Sequence, residues 1–192
     1  MSQCYLSDVG ETQLLFPIDR FYAHLDFLVD LKAEAEKDLI KESHRQPIAR
    51  VLETAPGMCP IRVARLLPVV VTPHRFRTRR QFWSYCGLSV VTRASSDWVQ
   101  SDRGWVRAPV QQSRGLTRQH NWVLKDLFKG AATSVVTRGG DDPLYQAYRE
   151  LTSNGTKPNL AQVTLARRIA GTVLRMRKDK EVYQPERVPT AG

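Results

Sequence analysis

The chain has 192 residues, 42% of them apolar, enough for one domain with a buried core or a small domain carrying a helical arm. No apolar run approaches the roughly 18 residues that span a bilayer, and the N-terminus has neither the basic start nor the hydrophobic stretch of a signal peptide; no membrane association and a cytoplasmic location are expected. The net charge of +10 is uneven, because residues 1–44 hold nine acids against four bases and the rest of the chain is therefore strongly basic.

Residues 1–19 show no periodicity and read as a ragged leader. From Phe21 the series Phe21, Leu25, Leu28, Lys32, Ala35 and Leu39 alternates spacings of four and three, the seam of a coiled coil or helical hairpin, so a coiled-coil-like arm is expected over residues 20–46. Lys32 interrupts the seam. It either fixes register or oligomeric state, or snorkels outward from a helix packed on its own domain. "ESHRQP" ends the arm, since the residue before Pro47 is biased away from helical geometry.

Next comes "VLETAPGMCPIRVARLL", which reads as a helix-hairpin-helix over residues 48–69. Ile48, Val51 and Leu52 form a short apolar face; Pro56-Gly57 stops it; Pro60 opens a second helix carrying Ile61, Val63, Ala64 and Leu67. In such a hairpin the free N–H groups of the second helix face a phosphate, and Gly57, Arg62 and Arg65 are the candidate contacts. Cys59 stands where many such hairpins have a second glycine. A plain turn between core helices is the alternative.

Residues 45–96 contain nine arginines, one acid, Glu53, and no lysine, a bias that favours planar, bidentate contact with phosphate and hence a nucleic-acid partner over a merely solvated face. The densest patch lies in "TPHRFRTRRQFWSYCGL". There Arg75, Arg77, Arg79 and Arg80 fall within six residues, ahead of a helical run over residues 82–85 whose aromatics are expected in the core.

"LSVVTR" then reads as a strand, "ASSD" breaks it, and "WVQSDRGWVR" reads as a hairpin turning at residues 101–104, with Trp98 and Trp105 paired across it as a small core. Helices are expected at residues 121–136, with Val123, Leu127 and Ala131 inward, at 143–153 behind Asp142, and at 160–178; residues 184–192 read as a disordered tail. The fold class is therefore mainly α with one small β-hairpin element.

Local signs of chemistry are few. Cys4, Cys59 and Cys86 form no CxxC pair and the four histidines are scattered, so no metal site or disulfide framework is expected. On composition Ser95-Ser96-Asp97 is a turn or cap, and neither a glycine-rich phosphate loop nor acids at two-metal spacing are present.

Four runs, "LETAPGMCPIRVARLL", "TPHRFRTRRQFWSYCGLSVVTRASSDW", "SRGLTRQHNWVLKDLFKGAA" and "LARRIAGTVLRMRKDKEVY", resemble in order and spacing the C-terminal half of transposases of the insertion sequence 110 type, over about residues 20–185. The resemblance implies a transposase C-terminal domain over residues 47–183 that acts on DNA with a structured bridge RNA in a bacterial, nucleoid-associated setting. It places the family's serine nucleophile, which forms a phosphoserine ester with DNA, on Ser95, with Ser96 as alternate where the family has glycine. It also aligns Asn121 with a loop-ordering position and makes Arg114, Arg118 and Lys125 candidates for phosphate.

The resemblance further implies an N-terminal RuvC-like domain whose four acids hold magnesium. Only some 20 unmatched residues precede the arm, and Asp8, Glu11 and Asp19 are too few and too close together to replace those acids. A truncated transposase, unable to cut DNA alone, is therefore expected. Its partners would be DNA, bridge RNA and a second copy or a full-length transposase bound through residues 21–39; the alternative is a non-catalytic nucleic-acid-binding remnant or an inhibitor of the full-length enzyme.

Overall fold

A computed structural model describes residues 5–93, 98–102, 104–107 and 112–188. Cys4, Ser95, Ser96 and Asp97 lie outside the described residues, as do the side chains of Asp8, Glu11 and Arg114. The chain divides into two units, Met1–Glu42 and Ser43–Gly192.

Helix α1 (Tyr5–Ser43) runs through the first unit, its last residue grouped with the second, and begins well inside the segment expected to be a ragged leader. It passes through Gly10 and Pro17, whose poor helix propensity conceals it from a local reading. Along it the apolar seam is uncovered, with Phe21 75% and Leu25 53% exposed. Lys32 sits 3.9 Å from Glu36, one turn on. Both are largely in water, so the pair is worth only a few tenths of a kcal/mol. Residues 43–46, expected at the end of the arm, belong to the second unit.

The helices of the second unit start where local chemistry allows. Proline occupies the first turn of α2 (Pro47–Glu53), α3 (Pro60–Val69), α6 (Pro143–Ser153) and α7 (Pro158–Asp179), where its missing N–H has no intrahelical partner to lose. Helix α4 (Arg79–Tyr85) opens with a capping box between Thr78 and Gln81, and α5 (Trp122–Arg138) is capped by Asn121, whose side chain accepts from the Leu124 N–H at 3.1 Å. Among the described residues no helix is long and apolar enough to cross a membrane.

Two small antiparallel pairs stand where one hairpin was expected. Strand β1 (Val90–Arg93) pairs with β4 (Gln112–Leu116), and between them β2 (Trp98–Ser101) pairs with β3 (Gly104–Arg107). The β2–β3 turn falls at residues 101–104 as expected, but the tryptophans build no core: Trp98 lies opposite Arg107, Trp105 opposite Gln100, and the rings are 59% and 65% exposed. A two-stranded ribbon without a second layer has nothing to bury a face against.

Helix α7 is the axis of the second unit, packing against α5, α6, α4 and α2 with Leu165, Ile169, Val173 and Met176 buried. Phe82 of α4 meets Phe76 edge-on at 4.9 Å and Phe128 of α5 at 5.8 Å, so the aromatics after the arginine patch do enter the core. Val123 is only half-buried, whereas Leu127 and Ala131 are fully inward. The segment expected to be a disordered tail is ordered as far as Val188. Pro185–Arg187 form a 3-10 turn and Val188 is buried, because the core offers it an apolar seat. Just upstream, Tyr183 donates to Asp142 at 3.1 Å, and burial beside that carboxylate pushes its phenol well above the usual range.

Candidate nucleic-acid interface

The arginine patch divides as the chain turns into α4. Arg75 sits over the rings of Phe76 and Tyr85, its Cζ 4.6 and 4.5 Å from their centroids. Arg77 and Arg79 instead line a groove of about 760 Å³ whose opposite wall is α7. Arg80 is exposed and does not line that groove.

From α7 the groove receives Arg167, Arg168, Arg175 and Lys178, so six cations face one carboxylate, Asp179. Among the described residues none of the six forms an ion pair with an acid. Three of them are held by neutral acceptors: Arg167 Nε donates to the Leu88 carbonyl at 2.5 Å, Arg175 Nη1 to the Arg187 carbonyl and Lys178 Nζ to the Phe76 carbonyl at 2.7 Å. Burial lowers the pKa of Arg167. Guanidinium groups anchored in this way keep N–H donors for a ligand and present a planar fork to phosphate oxygens.

Two small residues shape the floor. Gly171 leaves room for the stem of Arg79, and Thr172, 4% exposed, has a hydroxyl with no hydrogen-bond partner among the described residues. Trp83 ties the two walls together, its indole Nε1 donating to the Arg167 carbonyl at 2.9 Å. Beneath the groove, Arg177 is buried, donates Nη2 to the Val71 carbonyl at 3.2 Å and has its pKa lowered by that burial.

The α2–α3 turn presents a different surface. Arg62 Nη1 donates to the Gly57 carbonyl at 2.7 Å and, with Gly130 and Arg138, lines a shallower pocket of about 590 Å³. Gly57 has φ +76, and a Cβ there would lie 2.4 Å from the Ala131 carbonyl oxygen, so its lack of a side chain serves a contact inside the fold. Arg65 is 3.7 Å from Asp126. Arg118 is exposed, Lys125 is half-buried on α5, and Asn121 is engaged as the α5 cap while its N–H donates to the Tyr85 carbonyl.

Residues 49–148, just over half of the chain, match the family described as Transposase IS116/IS110/IS902 family. The chain belongs to this transposase family. Among curated proteins none matches it. The matched span of the transposase chain holds the α2–α3 turn, the arginine patch and the strands, so one wall of the groove lies inside it and the other, α7, lies beyond.

The arginines of α7 were not among the residues singled out from the sequence of this transposase. The signal was present in "TLARRIAGTVLRMRKDKEVY": Thr164, Arg168, Gly171, Arg175 and Lys178 recur at spacings of three and four, a stripe of small and cationic residues on a helix otherwise rich in buried apolar ones.

Proposed function

We propose that this transposase-family chain holds DNA by its phosphates in the groove between α4 and α7 and takes part in DNA transposition together with a RuvC-like domain. The groove carries the reading: six cations with no carboxylate partner among the described residues, set against one acid, form a site for a polyanion. A structured bridge RNA is the second ligand in this reading. The uncovered seam of Phe21, Leu25, Leu28 and Leu39 on α1 supports joining a second copy or another transposase.

In the covalent step the hydroxyl of Ser95, or of Ser96 as alternate, loses its proton and attacks a DNA phosphate; a phosphoserine ester forms and the cut strand leaves with a hydroxyl end. The placement rests on the resemblance at "ASSD". Magnesium does not suit the groove, where Asp179 stands alone among cations, and among the described residues no three histidine, cysteine or acidic side chains converge. In this proposal the acids of the RuvC-like domain would hold the ion, which would supply charge stabilisation at the phosphate.

Fluorescence anisotropy with a labelled duplex tests the binding half. If six to ten phosphates are neutralised, affinity should fall by about 10³ to 10⁵ between roughly 50 and 200 mM salt, and a flat response rejects the groove reading. For the covalent half, DNA and a RuvC-like partner should yield a denaturant-resistant adduct that Ser95→Ala abolishes while binding persists. An adduct surviving both Ser95→Ala and Ser96→Ala would end the serine assignment.

A further inference from the structure

We infer that the β2–β3 hairpin is a clamp for one unpaired base of single-stranded DNA, gripped between the indole rings of Trp98 and Trp105. The two rings are 59% and 65% exposed in a unit that buries Phe82 and Phe128 almost completely. Leaving such large aromatic faces in water is unfavourable, and exposed rings of this kind are characteristic of surfaces that stack on a ligand.

The register makes the pair a clamp rather than two separate rings. Trp98 is opposite Arg107 and Trp105 opposite Gln100, so the two tryptophans leave the same face of the ribbon and are diagonal neighbours. Diagonal neighbours stand about 7–8 Å apart. A planar base between two rings needs two contacts of about 3.5–4.0 Å each, a span to which indoles carried on such diagonal positions can open by side-chain rotation.

Charge complementarity selects a nucleic acid as the occupant. Residues 90–118 hold five arginines and no lysine against Asp97 and Asp102, so the ribbon is set in a basic stretch of chain. Stacking on both faces selects an unpaired base, because a base within a duplex is already covered above and below. The choice of DNA rests on the proposed function: Trp98 follows Ser95 by three residues, so their Cα atoms are within about 11 Å whatever path the chain takes. A strand attacked at Ser95 would thus pass within reach of the clamp.

The test is anisotropy of the full chain with a labelled single-stranded oligodeoxynucleotide, its duplex and the RNA of the same sequence. Trp98→Ala and Trp105→Ala should each weaken binding to the single strand by about 5-fold to 150-fold and leave duplex affinity within about twofold. Trp98→Phe and Trp105→Phe, which keep an aromatic face and the strand propensity, should retain most of the affinity. Trp122→Ala, at a tryptophan 70% exposed on α5, should change nothing. Unchanged single-strand affinity in both alanine variants, an equal loss on duplex, or a preference for the RNA overturns the clamp. If duplex binding keeps its salt dependence while the tryptophan variants have no effect, the clamp alone fails; if no nucleic acid binds, both readings fail.

Discussion

Arg79 lays its side chain across Gly171 so closely that a Cβ on the glycine would stand 3.2 Å from Arg79 Cδ and 3.8 Å from Trp83 Nε1. Gly171 lies within a 22-residue helix, where glycine is unfavourable by about 1 kcal/mol relative to alanine. What the helix loses in propensity, the groove gains in the close seating of α4.

Gly171→Ala should therefore separate stability from binding. The helix gains up to about 1 kcal/mol and the flexible Arg79 stem moves aside, so thermal unfolding should be unchanged or rise. Duplex affinity should fall as Arg79 is displaced. Undiminished affinity in the folded variant would remove Arg79 from the binding surface.

Gly57→Ala should behave in the opposite way. Its φ of +76 costs an L-residue about 1–2 kcal/mol, and the new methyl would meet the Ala131 carbonyl, which is backbone and cannot swing away. Urea unfolding should show a loss above about 2 kcal/mol. A loss near zero would mean that the α2–α3 turn reshapes freely around Ala131.

Arg168→Ala and Arg175→Ala should each reduce the slope of log affinity against log salt by about one, with little sequence preference, as expected for phosphate contacts. Arg65, already 3.7 Å from Asp126, should change the slope less. Equal effects from all three would locate the polyanion on a broad basic surface instead of in the groove.

At Asn121, alanine should cost about 1 kcal/mol of stability, while Asn121→Asp should keep the fold because a carboxylate also caps Leu124. Duplex affinity of Asn121→Asp should stay within about twofold in this reading. A stable variant with strongly reduced affinity would give Asn121 a direct contact with phosphate.

Much of the fold was legible because its signals act over a few residues. Asp142 before Pro143 marked the start of α6, the turn at residues 101–104 marked the β2–β3 hairpin, and the spacing of Phe21, Leu25, Leu28 and Leu39 marked an apolar seam on α1. The β1–β4 pair escaped because its strands are separated by another hairpin, and no local pattern records that Val90 lies opposite Leu116. The exposed state of Trp98 and Trp105 escaped for a related reason: alternation tells which residues share a face, while burial of that face depends on whether another layer arrives to cover it.

The groove follows the same division. Capping, proline placement and charge asymmetry depend on neighbours along the chain, so the starts of α3 and α6, the acidic arm and the arginine-rich stretch could be read directly from residue order. That Trp83 would reach Arg167, 84 residues away, and bring Arg77 and Arg79 opposite the cations of α7 depended on how Phe82, Phe128 and the buried face of α7 pack together. Core packing is a many-body contact between distant segments, and it also turned Gly57 toward the Ala131 carbonyl.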